Sequence, residues 1–232
     1  MGVNIITLMP TRGLIFTKAQ NALSQELMAN GQPNFTLYTD NQPIPDCRNT
    51  LVETALEIPE WTHALCLDDD VIIPEGGLKK MIDLDTDIAF IDYPMHYTQG
   101  RWAKMGTASY DEWTPGEEWK DKPVAWAGMG CALIKREVFE KMSKPYFDEF
   151  TKVFTRDDNG KITLGDTKVD FGGGGEDVYF MLKAKELGYE IKRADGTAGH
   201  ARLIRAVLAL QEGKYRMTHK IGVNNEITQP YR

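Results

Sequence analysis

The sequence predicts an α/β protein: a mostly parallel central β-sheet flanked by helices, with a small β-rich insertion. Two observations carry this. Short apolar β-type runs alternate with helix-patterned segments through the first part of the chain, joined by short loops. The third such run, Ala64 to Leu67, ends in Asp68-Asp69-Asp70 and resumes as Val71-Ile72-Ile73. An apolar strand ending in three carboxylates marks the edge where open α/β sheets bind ligands.

The elements follow in order. Asn4 to Met9 is an apolar strand stopped by Pro10, and Pro10-Thr11-Arg12-Gly13 is a loop. Ile15 to Asn30 is patterned as a helix through Leu23, Leu27 and Met28, with Gly31 as its stop. Phe35 to Thr39 is a second strand, ending at Asp40. Asp46 is the expected N-cap of a helix from Arg48 to Glu57. The acid-bearing strand comes next, then a helix opened by Pro74-Glu75, then a strand from Ile88 to Ile91.

The regularity weakens after that. Residues 95–123 are rich in Trp, Tyr, Gly and charge, with Trp102, Trp113 and Trp119 among them, and suggest a β-rich insertion or a loop over the site. Val124 to Ala127 and Cys131 to Ile134 are strands around Gly128-Met129-Gly130, followed by a short helix from Lys135 to Met142. Asp157-Asp158-Asn159-Gly160 is the turn of a hairpin. Gly172 to Gly175 leads into a helix from Glu176 to Leu187, stopped by Gly188, and Tyr189 to Arg193 is a further strand. From Gly199 onward the expectation is an irregular basic tail, with one helical stretch near Leu203 to Gln211.

Three features could together make one site. At about 4 Å, two carboxylates repel by roughly 4 kcal/mol at an effective dielectric of 20. The Asp68–Asp70 triplet therefore calls for a cation, and a divalent metal with oxygen ligands suits it. If the segment is extended, Asp68 and Asp70 face the same way and Asp69 faces elsewhere. Glu176-Asp177 stands at a helix start, where acids suit the helix dipole. Four glycines precede it and permit a close approach to the backbone. His200 lies between a glycine and a basic run. Two other acidic clusters are turns. Asp83-Leu84-Asp85-Thr86-Asp87 lacks the glycine and closing glutamate of a calcium loop, and Asp157 to Gly160 fails likewise. Gly172 to Gly175 lacks the Lys-Ser or Lys-Thr pair of a Walker loop.

No apolar run approaches the ~18 residues that span a bilayer. Met1-Gly2-Val3-Asn4 starts neither a signal peptide nor a myristoylation signal. The three cysteines, Cys47, Cys66 and Cys131, make neither a disulfide framework nor a zinc spacing, so a reducing, cytoplasmic setting is expected. The net charge is −7, yet Lys183 to Arg232 holds ten basic residues against five acidic. That basic end is expected to meet an anion, either a diphosphate or a larger acidic acceptor.

The ordered set of motifs resembles a known family. A first strand ending Pro10-Thr11-Arg12-Gly13, then Arg48-Asn49 at a helix, then Asp68-Asp69-Asp70-Val71, is similar to the nucleotide-sugar half of a GT-A (Rossmann-like) glycosyltransferase of the family 2 type. Ala127-Gly128-Met129-Gly130-Cys131 resembles the segment lining the sugar and acceptor pocket. Gly175-Glu176-Asp177-Val178 resembles the Glu-Asp motif, and His200 stands where many such enzymes place a late metal-ligating histidine.

The resemblance implies a metal-dependent, inverting glycosyltransferase that moves a sugar from a nucleoside-diphosphate sugar, a UDP-sugar first among them, to an acceptor hydroxyl. Asp70 and His200 would hold Mn²⁺ or Mg²⁺, with Asp68 assisting or holding the ribose. Pro10, Thr11, Arg12, Asp40 and Arg48 would surround the nucleotide, with Asp69, Gly128, Met129 and Gly130 lining the donor site. Asp177 would be the general base and Glu176 would orient the acceptor. Asp40 is followed by Asn41-Gln42, which departs from the Asp-Gly-Ser-like pattern usual at that point. The chain would be one domain: 1–94 the nucleotide-sugar half, 95–204 the acceptor half and 205–232 a basic tail. The acceptor would be a glycan, a small molecule, a protein or a modified DNA base. Two rivals are a nucleotidyltransferase acting on a sugar phosphate, which lacks its Gly-rich opening loop here, and an inactive nucleotide-sugar-binding module.

Overall fold

The computed structural model of the protein describes residues 2–11, 13–39, 42–93, 109–110, 124–148, 153–156, 162–165, 175–211 and 214–223. The elements in chain order are β1 (Ile5–Pro10), α1 (Thr17–Ala29), β2 (Thr36–Thr39), α2 (Ile44–Glu57), β3 (His63–Leu67), β4 (Val71–Ile72), α3 (Gly77–Asp83) and β5 (Ile88–Phe90). Then follow β6 (Ser109–Tyr110), β7 (Val124–Trp126), β8 (Cys131–Lys135), α4 (Arg136–Lys141), β9 (Val153–Arg156) and β10 (Ile162–Gly165). The chain continues through α5 (Glu176–Glu186), β11 (Ile191–Arg193), β12 (Gly199–Gln211) and β13 (Lys214–Val223).

Six strands form the central sheet in the order β11-β5-β8-β3-β1-β2. All run parallel except β8, which is antiparallel to both β3 and β5. The mostly parallel α/β sheet expected from the strand–helix alternation is therefore present. Both faces of the sheet are covered, and the side chains alternate between them as strand geometry requires. Ile6 and Leu8 of β1 join Leu51, Val52, Phe90, Phe139 and Phe180 in one apolar cluster. Ile5 and Met9, their neighbours in sequence, join Leu23, Leu27, Leu78 and Met81 in the other. Each fully buried Leu or Ile contributes roughly 1.5–3 kcal/mol.

The helix ends follow local chemistry. Gly31 and Gly188 stand at positive φ, +62° and +86°, just past α1 and α5. The amides beyond them close back, Gln32 donating to Leu27 O at 2.8 Å and Tyr189 to Ala184 O at 3.1 Å. This is the left-handed stop that glycine permits. Helix α2 begins earlier than its sequence suggests. Pro43 is the N-cap, Pro45 sits in the first turn, and Asp46 is a first-turn acid rather than the cap. Proline loses nothing in a first turn, where its missing N–H would have no partner anyway. Helix α3 starts at Gly77 rather than at Pro74-Glu75, because Pro74 O closes a turn onto Gly77 N at 2.8 Å. Its cap comes from outside: the buried Glu26 carboxylate of α1 accepts Gly76 N at 2.7 Å and Leu78 N at 3.0 Å.

The expected helical stretch near Leu203 to Gln211 is overturned. Those residues continue β12, which pairs antiparallel with β13 from Ala201↔Val223 to Gln211↔Lys214. The run Leu203-Ile204-Arg205-Ala206-Val207-Leu208-Ala209-Leu210 contains good helix formers. Cross-strand pairing outweighs that propensity, as tertiary context commonly does. The hairpin arms expected around Asp157 to Gly160 are β9 and β10, paired antiparallel, while the turn lies outside the described residues. Within the aromatic insertion only β6 is described, paired with β7; Trp102, Trp113 and Trp119 lie outside the described residues. Among the described residues, no helix is long and apolar enough to cross a membrane.

Candidate functional site at the carboxyl edge of the sheet

Parallel pairing brings the carboxyl ends of β1, β2, β3, β5 and β11 to one edge of the sheet. The antiparallel β8 starts at that same edge, because Cys131 pairs with Leu67. Pro10 and Thr11, Asp68 to Asp70, Asp92 and Tyr93, and Gly128 to Gly130 are thereby gathered from distant parts of the chain. Arg12 and Asp40, which the sequence places at this edge, lie outside the described residues. Thr11 is nearly buried, and its hydroxyl accepts Gly13 N at 3.0 Å.

The acidic triplet is a turn rather than an extended segment: Val71 N donates to Asp68 O at 3.1 Å. The rule of alternate residues sharing a face therefore does not apply, and the acids take separate partners. Asp69 O accepts Phe16 N at 3.2 Å, and Asp70 O accepts Ala201 N. Asp68 meets Arg48, whose Nη2 donates to Asp68 Oδ1 at 2.7 Å. Asp70 meets His200, with Oδ2 and Nε2 3.2 Å apart and both residues only 6% exposed. His200 reaches it because β12 pairs with β4, setting His200 beside Val71.

The Asp70–His200 spacing suits a shared cation. Metal bonds of about 2.1 Å at right angles put two donor atoms about 3.0 Å apart. An oxygen and an imidazole nitrogen form a mixed donor pair of the kind that Mn²⁺ accepts. Among the described residues no third His, Cys, Asp or Glu side chain joins them. Asp68 faces Arg48 instead.

Glu176 and Asp177 begin α5, after Gly175 as N-cap. Glu176 Oε1 accepts Arg48 Nε at 3.0 Å, so one guanidinium bridges Asp68 and Glu176. Burial alone would loosen the Arg48 proton, but the two carboxylates more than offset this and its pKa is raised. Asp177 is pushed up to about 6, first by burial and then by the Glu176 charge, with Arg48 and the Val178 amide opposing. A carboxyl group with that acidity is suited to accept a proton near neutral pH. Gly175 leaves room for it: a Cβ there would lie 2.9 Å from Asp177 Oδ1.

Tyr93 belongs to this site although sequence patterns did not single it out. It stands just past β5, whose carboxyl end the topological rule already placed at this edge. Its hydroxyl accepts Gly130 N at 3.2 Å, and its ring meets the His200 ring edge-on at 5.5 Å between centroids. Burial raises its pKa well above the ordinary value, with Asp68 and Asp177 adding to the effect, so the phenol stays protonated. Gly130 has no space for a side chain. A Cβ there would stand 2.5 Å from Tyr93 Oη and 2.7 Å from Asp68 Oδ2. Met129 is fully buried in the core. The three cysteines are buried and free, and burial pushes Cys66 and Cys131 up to about 12, so those two are inert thiols.

No protein-family model and no curated protein matches the sequence. Among solved structures, the fold is similar to that of A197 from STIV, with a TM-score of 0.53 and 18% identity over 88% of this chain and 87% of that one. TarS 1–349 of S. aureus matches with a TM-score of 0.42 and 14% identity, over 85% of this chain and 59% of that one. A glycosyltransferase involved in glycosylation of the major capsid of PBCV-1 matches with a TM-score of 0.34 and 16% identity, over 60% of this chain and 63% of that one. The chain thus spans less than two thirds of the latter two. The likeness to A197 is one of fold alone, and the other two are more distant than a shared fold requires.

Proposed function

We propose that this protein transfers a sugar from a nucleoside-diphosphate sugar to an acceptor hydroxyl, with a divalent cation, Mn²⁺ or Mg²⁺, held by Asp70 and His200. The observation that supports it most is the pairing of two unlike sites at one sheet edge. One is a buried carboxylate–imidazole pair with the spacing of neighbouring metal ligands. The other is a carboxyl group whose acidity is set near 6. The residues and their order are those that the GT-A resemblance implied.

The chemistry then divides among the chain's own groups. The bound cation would neutralise charge on the leaving diphosphate. Two protein ligands are enough, since such ions commonly keep water and take phosphate oxygens as further ligands. Asp177 accepts the proton of the acceptor hydroxyl, a contribution of typically 10²–10⁴-fold. Glu176, held by Arg48, orients that acceptor. Gly130 lets the Tyr93 hydroxyl and the Asp68 carboxylate close onto the backbone beside the proposed donor site. Attack by the deprotonated hydroxyl, directly opposite the leaving diphosphate, inverts the anomeric carbon.

The test is a screen of nucleotide sugars, UDP-sugars first, by thermal shift and by release of nucleoside diphosphate, with and without Mn²⁺. A metal-dependent shift and release, both abolished by Asp70→Ala, are expected. Full activity of Asp70→Ala, or no response to any nucleotide sugar, would refute the proposal. Product formation from a nucleoside triphosphate and a sugar 1-phosphate instead would identify nucleotidyl transfer.

A further inference from the structure

Arg48 and Asn49 are adjacent on α2 and reach in two directions. Arg48 is buried, and both carboxylates it touches belong to other elements: Asp68 at the end of β3 and Glu176 at the start of α5. Asn49 holds the segment that follows α4. Its Nδ2 donates to Phe147 O at 2.7 Å, and its Oδ1 accepts Tyr146 N at 2.9 Å and Phe147 N at 3.1 Å. The Phe147 ring in turn stacks on Phe180 of α5, with centroids 4.9 Å apart and planes 13° from parallel. The Arg48 guanidinium carbon lies 6.0 Å from the centroid of that same Phe147 ring. The dipeptide therefore fixes α5 twice, at its first residue through an ion pair and one turn later through a stacked ring.

We propose that Arg48 and Asn49 form one strut that sets the Asp177 end of α5 against the Asp68–Asp70 turn, and that Arg48 is a positioning residue rather than a ligand of the donor. What is positioned rests on the glycosyl-transfer reading above; the strut itself does not. The geometry favours this role. Two of the guanidinium's donors are engaged by carboxylates from two different elements, the end of β3 and the start of α5. Swinging toward a diphosphate would leave a carboxylate without its buried partner, which is strongly unfavourable. Lysine, a point charge on a flexible stem, cannot reproduce a fork that grips two carboxylates at once.

Two measurements test it. The first is a stability cycle among Arg48→Met, Glu176→Gln and the double variant, read as Tm. Arg48→Met is expected to lower Tm, and adding Glu176→Gln is expected to restore part of the loss. Additive losses would overturn the strut. If Arg48→Met does not fold, Arg48→Lys replaces it in the same cycle. The second compares UDP binding, by calorimetry with Mn²⁺, against the transfer rate in Arg48→Lys and Asn49→Ala. Transfer is expected to fall 30-fold or more while the Kd for UDP stays within threefold of wild type. A Kd that rises in step with the loss of rate would overturn the positioning role. Failure of the wild-type protein to bind UDP or any other nucleotide would refute the glycosyl-transfer reading instead, and the stability cycle would still decide the strut.

Discussion

Asp177→Asn should change how stability depends on pH. In the folded protein the Asp177 carboxyl group is pushed up from 3.8 to about 6 by burial and the neighbouring Glu176 charge. Between about pH 4 and pH 6 the unfolded chain has lost this proton while the native state still holds it. The native state then binds more protons, so stability falls as pH rises through that window. The stabilisation is fully present below about pH 4 and is lost above about pH 6. A shift of roughly two units corresponds to about 3 kcal/mol at 1.36 kcal/mol per unit. Partial solvent access of the side chain lowers the expectation to about 1–2 kcal/mol. For a chain of this size that is a Tm difference of about 2–8 °C. Asparagine cannot ionise, so the variant should lack this component. The assay is Tm or denaturant unfolding of both proteins, without metal, at intervals from pH 4 to pH 7.5. The variant should gain on wild type as pH rises, by about 1–2 kcal/mol in all. Parallel profiles would show that Asp177 is not held protonated by its surroundings. The same group sets the expected pH–rate curve: transfer should rise with pH to a plateau, with its midpoint near 6.

Three further outcomes follow from the same geometry. His200→Ala should abolish any Mn²⁺-induced thermal shift, which at 100-fold excess over Kd is worth about 2.7 kcal/mol in wild type; an unchanged shift would remove His200 from the cation site. Gly130→Ala should cost about 1–3 kcal/mol by overpacking, because the new Cβ would press on Tyr93 Oη and Asp68 Oδ2, and it should reduce transfer; a neutral Tm would contradict the crowding. Glu26→Ala should cost about 1–3 kcal/mol, since it strips the Gly76 and Leu78 amides of their shared carboxylate, while leaving nucleotide affinity unchanged in a titration.

The alternation of apolar runs and helix-patterned segments determined the sheet and its covering helices, because periodicity is a local property and both faces of each inner strand needed burial. Glycines 31 and 188 marked helix ends for the same local reason. Asp68 and Asp70 stood out as candidates because three adjacent carboxylates interrupt an apolar run, Glu176 and Asp177 because four glycines precede them, and His200 through the GT-A resemblance. Their pairing was not. The partition of the triplet, Asp68 to Arg48 and Asp70 to His200, depends on a turn at Asp68 and on β12 returning beside β4. Tyr93 and Glu26, and what Asn49 holds, became visible only through contacts between residues far apart in sequence. The segment Leu203 to Gln211 shows the limit most plainly: its residues favour a helix, and only the partner strand β13 makes it extended. Local preference is worth tenths of a kcal/mol per residue, whereas pairing and burial are decided by what the rest of the chain brings alongside.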